Sequence, residues 1–421
     1  MQPPVRDRAG NCRVDPGGKQ PDDNQVAKAY RGKKTLADNW LHLRATAHWP
    51  LLRNGERRTF REASCTSPER RNSFLTATRH GLKLAKADQA GQVPRVRLTV
   101  VSTSYPLSPG QAAGHFVQSE VEQKCRQGAQ VTVIAPGPRT ERGGVNPVVV
   151  RVGAGNLFGP PGVLTRIHHR PSRLVHLPGF LREARRVVLG LKDQQRVIAH
   201  WLLPCAWPIC RSLPTPLEVV VHGSDVGLAE RLPRPLLRPL VKSLLQGGAE
   251  FRFVATSLRR RLGKAAGIDL GPFSRVQPCE AQVSLAPSRV DSRRMLHLEV
   301  ERRLIVVVSR LISSKRVAVA LQSLERLPRS RIVVIGDGPL RPPLSQRFPS
   351  IEFMGALSHQ QTLSWTAAAD VLVSASLQEG APLAIREARA LGVPVVASPA
   401  GDLPELAALD PGLWLLPGTA R

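Results

Sequence analysis

The chain has 421 residues, 42% apolar and 22% charged, a length that calls for two domains and excludes a single small binding module. Sixty Lys and Arg against 32 Asp and Glu give a formal charge of +28, so the expected partners are anions: phosphates, nucleic acid or an acidic membrane face. No run of about 18 apolar residues occurs and Met1–Asn11 lacks the apolar core of a signal peptide, so a spanning helix is excluded and a cytoplasmic location is expected. The six cysteines are scattered without a C-x-x-C, which argues against structural zinc or a disulfide framework.

The charge is unevenly spread. Residues 1–95 carry 19 basic and 9 acidic side chains, residues 96–279 carry 25 and 10, and residues 280–421 carry 16 and 13. The last third is close to neutral, so a uniformly nucleic-acid-coating protein is a poor description.

Residues 1–92 show no sustained period of 2 or 3.6 and are broken by Pro3, Pro4, Pro16, Gly17, Gly18 and Pro21. They are expected to be a disordered basic leader. From Val96 onward, short β-branched runs alternate with amphipathic helix-length stretches, the signature of βαβ units. Strands are expected at Val96–Ser102, Gln130–Ala135, Pro147–Val152, Val197–His200, Glu218–His222 and Phe251–Ala255. Helices are expected near Ala113–Gln127, Pro178–Leu191, Pro235–Gln246 and Ser257–Ala266. This defines a first α/β domain over 93–286. Its segment Arg231–Leu245 alternates cations with leucines, which suits an anionic lipid surface; the alternative is that the leucines are core.

After the polar stretch Pro287–Arg294 a second series begins, giving a second domain over 295–421. Strands are expected at Leu304–Ser309, Arg331–Ile335, Ile351–Phe353, Val371–Ser374 and Val395–Ala397, with helices near Arg316–Leu327, His359–Ala368 and Leu383–Ala390. The continuous run Leu304-Ile305-Val306-Val307-Val308 is what a strand buried on both faces requires.

Three segments of this second domain carry chemistry. Gly336-Asp337-Gly338-Pro339 follows a strand and allows close backbone approach. Ser376 to Leu383 leaves a strand through a small-residue loop containing Glu379 and enters a helix, presenting free N–H groups and a positive helix end to a phosphate; Glu387 follows one turn inside. Arg310 and Lys315 lie just beyond another strand, where strand C-termini gather, and two cations with a helix N-terminus suit a diphosphate.

The order S-R-L-x-x-S-K, V-I-G-D-G-P-L, F-M-G, then A-D-V-L-V-S-A-S-L-Q-E-G-A-P-L-A-I-R-E-A closely resembles the nucleotide-sugar-binding half of retaining GT-B glycosyltransferases of family 4, also called glycosyl transferases group 1. Glu379 and Glu387 match the family's E-x7-E motif. Ser104-Tyr105-Pro106 through Gly110 and Gly114, His200-Trp201-Leu202-Leu203-Pro204 and Val221-His222-Gly223-Ser224-Asp225 resemble segments of its N-terminal half. The resemblance covers residues 96–409. It implies a GT-B fold of two Rossmann-like doubly wound domains facing a cleft. It implies transfer of a sugar from a nucleoside diphosphate sugar to a glycan, lipid-linked or small-molecule acceptor with retention, without a metal or cofactor. Arg310, Lys315, Gly110, Gly380, Pro382 and Leu383 would then hold the donor diphosphate, Glu387 the ribose hydroxyls and Glu379 the transferred sugar, with His222 beside the reacting sugar. The absence of D-x-D fits metal independence.

Blander readings accompany these. His222 could be a satisfied core histidine, Glu387 could pair with Arg386 or Arg389, and Asp225 and Trp201 stand evenly between structure and function. Cys205 and Cys210 read as packing residues. The chain ends at Arg421, where the family usually continues, so an incomplete second domain is expected. The competing reading is a non-catalytic GT-B relative binding nucleic acid through the basic leader. In the leading reading no specific nucleic acid is expected, and the basic first domain would meet a lipid-linked acceptor at the inner face of a membrane.

Overall fold

The computed structural model describes residues 96–416 apart from 109, 139–144, 160–161 and 300–301. The leader 1–92 and the chain end lie outside the described residues. Two entirely parallel sheets organise the rest. The first has seven strands, β1 (Arg97–Ser102), β2 (Gln130–Pro136), β3 (Val148–Val152), β4 (Arg196–His200), β5 (Leu217–Val221), β6 (Glu250–Phe253) and β7 (Ser274–Val276), in the order β3-β2-β1-β4-β5-β6-β7. The second has six, β8 (Arg303–Val308), β9 (Ser330–Ile335), β10 (Glu352–Gly355), β11 (Val371–Ser374), β12 (Val395–Ala397) and β13 (Leu413–Leu415), ordered β10-β9-β8-β11-β12-β13.

The first domain therefore runs 3-2-1-4-5-6-7 across its sheet and the second 3-2-1-4-5-6, each reversing direction beside its first strand. In open α/β sheets ligands bind outside the strand C-termini at such a switch point. The strands form because their residues are β-branched and buried on both faces; Leu304, Ile305, Val306 and Val307 are all buried, as are Val219, Val220 and Val221. Among the described residues an apolar core forms in each domain.

The flanking helices of the first domain are α1 (His115–Arg126), α2 (Val163–His169), α3 (Leu177–Gly190), α4 (Ser224–Ala229), α5 (Arg234–Gln246) and α6 (Thr256–Ala266). The second domain adds α7 (Arg289–Met295), α8 (Val317–Leu324), α9 (Arg341–Arg347), α10 (His359–Ala368), α11 (Leu383–Ala390) and α12 (Leu403–Ala407). Helix α10 begins with a full capping box, Ser358 and Gln361 each satisfying the other's backbone N–H. Cys205 and Cys210 are buried and free, as packing residues would be.

Two readings of the sequence need correction. The polar stretch 287–294 is helical over α7, capped by the Ser288 side chain accepting from Asp291 N–H at its start. Its polar residues are spoken for internally: buried Arg293 donates to the carbonyls of Ala368, Glu299 and Arg302 at 3.0, 2.6 and 2.8 Å. In Arg231–Leu245, Leu237, Leu240, Val241 and Leu244 are core, and Leu236 is exposed. The leucines paired with a lipid surface thus face the sheet, leaving a basic rather than an amphipathic outer face.

Candidate active site between the two sheets

The C-terminal ends of both sheets face each other, and close contacts cross between them. His359 N–H donates to the Gly110 carbonyl at 3.3 Å, and Gly110 itself has φ +78°, a left-handed conformation natural only to glycine. At Gly380 an added Cβ would stand 2.9 Å from Leu258 Cδ1 and 3.2 Å from the His222 carbonyl oxygen. Only a residue without a side chain lets the 376–382 loop come this near the first domain. Asp402 accepts the N–H groups of Thr256 and Ser257 at 2.5 and 2.8 Å. It thereby caps α6 from the opposite domain, a task that Ala255 at the N-cap cannot perform.

The second domain's side of the cleft is built by β8, β11 and α11. Lys315 Nζ lies 2.7 Å from Glu379 Oε1, both largely shielded from water. Arg310 is exposed at the cleft, near the first domain: a Cβ on Gly162 would stand 3.1 Å from its Nη1. Gly336 and Gly338 permit this crowding, since a Cβ on either would overlap the carbonyl of Ser309 or Leu311. Helix α11 starts at Leu383 behind Pro382, with no side-chain cap on its first N–H groups. An anion is the natural partner of such a helix start.

Glu387 sits one turn into α11, 5% exposed. It is not paired with Arg389, which makes a two-pronged bridge to Asp410 at 2.8 Å. Its partners are histidines. His359 Nε2 lies 2.8 Å from Glu387 Oε1 and His115 Nε2 3.5 Å away. Burial alone would raise the carboxyl pKa, but the bonds from His115 and His359 outweigh it and hold it below the usual value. Sequence reasoning missed both histidines; the available signal was that each opens a helix immediately after a loop at the cleft, behind Gly114 and Ser358.

Across the cleft stands His222, just beyond β5. Its Nε2 is 2.9 Å from Nδ1 of buried His200, and the two rings are stacked with centroids 5.1 Å apart. Phe116 and Trp201 pack around His222 at centroid distances of 5.0 and 4.8 Å, and Trp201 holds φ +76°, uncommon outside glycine. Behind His200 lies a charged cluster: Glu120 Oε2 is 3.9 Å from His200 Nε2, and Arg252 bridges Glu120 at 2.6 Å and Glu218 at 2.8 Å. Burial drives the pKa of both His200 and His222 well below 6.5, with Arg252 and, for His222, its neighbour His200 adding to the effect. Both rings are therefore neutral near pH 7.

Asp225 fixes the turn that carries His222. It is buried and accepts four backbone N–H groups: Leu202 at 3.0 Å on Oδ2, and His222, Gly223 and Val226 at 3.2, 2.8 and 3.1 Å on Oδ1. The sequence left this residue evenly between two roles; its contacts are those of a positioning residue. A cavity of 780 Å³ also lies between β3 and α3, lined by His176, Arg182, Glu183 and Arg186 among others, and none of the site residues above borders it.

The neutral histidine pair sets an acid limit on stability. A buried imidazole with a lowered folded pKa binds fewer protons than the unfolded chain, so its contribution is complete above the unfolded value of about 6.5 and is lost as pH falls below it. Thermal melts are expected to shift downward between pH 7 and pH 5, and His200→Phe should shrink that shift. An unchanged pH dependence in this variant would refute the assignment of the acid sensitivity to the pair.

Two doubly wound parallel sheets facing one cleft define the GT-B fold class. Residues 302–420 match the model of the family described as Glycosyl transferases group 1. The chain is 25% identical over 346 residues to TuaC of Bacillus subtilis, named as a teichuronic acid biosynthesis glycosyltransferase, covering 77% of this chain and 87% of that one. It is also 25% identical over 338 residues to the D-inositol 3-phosphate glycosyltransferase of Mycolicibacterium smegmatis, covering 74% and 77%. Among solved structures it shares its fold with sucrose-phosphate synthase from Thermosynechococcus elongatus, with a TM-score of 0.64 at 19% identity over 77% of this chain and 87% of that one. It likewise shares its fold with Anabaena HepE in complex with UDP-glucose, at 0.54 and 16% over 74% and 83%.

Proposed function

We propose that this protein transfers a sugar from a nucleoside diphosphate sugar to an acceptor hydroxyl with retention of configuration and without a metal. The observation that carries the reading is the 376–382 loop, which sets Glu379 against Lys315, leads into the uncapped start of α11 and packs Gly380 against the backbone of His222. Donor chemistry and an opposite-domain histidine thereby meet in one crevice.

In this reading Arg310, Lys315 and the N–H groups of Gly380 and Leu383, on either side of the turn made by Pro382, receive the diphosphate, with Gly110 allowing its loop to approach. As the bond from the anomeric carbon to the phosphate oxygen breaks, negative charge grows on the diphosphate, and prepositioned cations and dipoles stabilise it most at that stage. The acceptor oxygen forms the new bond and its proton leaves with the diphosphate. Glu379 contacts the transferred sugar, and neutral His222 offers it a hydrogen bond. Glu387 binds the ribose hydroxyls, exchanging at least one of its histidine partners for them. The relatives named for teichuronic acid and inositol phosphate chemistry support a hydroxyl-rich acceptor. Association with a membrane, in this account, rests on the basic charge of the first domain alone.

The direct test is a panel of nucleoside diphosphate sugars scored by thermal shift and by donor hydrolysis, since a ligand bound only to the native state raises the melting point. No shift with any donor would overturn the reading. Activity is expected to survive EDTA, because the charge that a metal would supply is already present; complete loss, restored by Mn²⁺, would show a missed ligand set. Product stereochemistry by nuclear magnetic resonance decides retention.

A further inference from the structure

We propose that His115, His359 and Glu387 form a binding site for a divalent transition-metal ion of the Zn²⁺ type, which ties the two domains together and excludes the donor. The site is distinct in purpose from the transfer chemistry, which needs no metal in the account above. Its exclusion of the donor rests on the reading of Glu387 as the ribose contact.

The three ligand atoms lie within 4.8 Å of one another. His359 Nε2 and His115 Nε2 stand 2.8 and 3.5 Å from Glu387 Oε1. Ligands at about 2.0–2.1 Å from a tetrahedral zinc stand roughly 3.4 Å apart, so small side-chain adjustments suffice. The two rings stack with centroids 4.0 Å apart and planes 23° from parallel, which brings both Nε2 atoms to the same carboxylate oxygen.

The hydrogen bond behind His115 points the same way. Its Nδ1 lies 2.7 Å from the Ala112 carbonyl oxygen, which can only accept, so Nδ1 carries the proton. A metal ion would then be met by the other ring nitrogen, Nε2, which is the atom that faces Glu387. A ring N–H held by a backbone carbonyl is also the usual outer support of a metal-bound histidine.

The donor set selects the ion. Two imidazoles and one carboxylate suit Zn²⁺, Cu²⁺, Ni²⁺ or Co²⁺, whereas Mg²⁺ and Ca²⁺ favour oxygen ligands. Three protein ligands leave a fourth position for water. His115 comes from the first domain, and His359 and Glu387 come from the second, so the ion would bridge the cleft.

The test uses the full chain freed of metal. Zn²⁺ titrated by calorimetry should bind tightly, and His115→Gln and His359→Gln should each weaken that binding at least tenfold while keeping the metal-free melting point. Co²⁺ should give the intense visible bands of a four-coordinate site without a thiolate charge-transfer band, and both variants should lose them. Zinc binding and cobalt spectra unchanged in both variants would overturn the site. In the transfer assay, Zn²⁺ should raise the donor KM with little change in kcat. Tight zinc binding that leaves the donor KM unaltered would overturn the exclusion and, with it, the ribose role of Glu387, while the metal site itself would stand.

Discussion

Glu379→Ala is expected to lower the turnover of sugar transfer by about 100-fold or more, with donor affinity changed less than tenfold. The expectation follows from what Glu379 touches. Its carboxylate is 2.7 Å from Lys315, and in the proposed reading it meets the sugar whose geometry changes during the reaction. Its removal leaves Lys315 free for the diphosphate, so ground-state donor binding holds. Lys315→Ala does the reverse: it deletes a diphosphate contact and leaves the Glu379 carboxylate facing an anionic donor. Donor affinity should then fall by about 10- to 100-fold, the range of a lost charged hydrogen bond. Glu387→Ala should also act on affinity, because the ribose is unchanged by the reaction. Separate measurement of kcat and donor dissociation constants for the three variants decides the matter. Full activity in Glu387→Ala with unaltered donor affinity would remove the basis for the site.

The parts of this molecule legible in its sequence are those written in one local pattern. β8 could be placed within a residue because five apolar residues in succession fit only a strand buried on both sides. The strand–loop–helix form around Glu379 was legible because small residues, two acids and a helix start follow one another within a dozen positions. The first-domain side was less legible because its partners are far apart. His200 and His222 meet only because β4 and β5 are adjacent and end at the same level. The partnership of His115 with Glu387 spans both domains, and no spacing in the chain announces it. Helix α7 was missed for another reason: its buried residues are Ser292 and Arg293, so no apolar stripe marks it. The leucines of Arg231–Leu245 mislead in the opposite direction, since an amphipathic pattern reads the same whether its apolar face meets a sheet or a lipid surface.

Asp225→Ala is expected to be the most destabilising single change in the first domain. The carboxylate holds the N–H groups of Leu202, His222, Gly223 and Val226 in a region closed to water. Burial raises its pKa and the N–H groups of Leu202, Gly223 and Val226, with its own, oppose the rise, so the group is anchored by the donors rather than by a counter-charge. Each buried donor left unsatisfied costs about 1–3 kcal/mol, and partial rehydration recovers some of it. A loss of roughly 3–5 kcal/mol is a large share of a typical total of about 5–15. Asp225→Asn separates the hydrogen bonds from the charge. Its carbonyl oxygen can keep the three N–H groups now on Oδ1, but its amide would face the Leu202 N–H, donor against donor. The Asn variant should therefore fold with an intermediate loss, and its activity should fall further than its stability because the His222 turn is loosened. Urea melts of the two variants, read beside transfer rates at a temperature where both are folded, test this. Equal stability of Asp225→Ala and the parent would show that the turn carrying His222 is held by something other than this carboxylate.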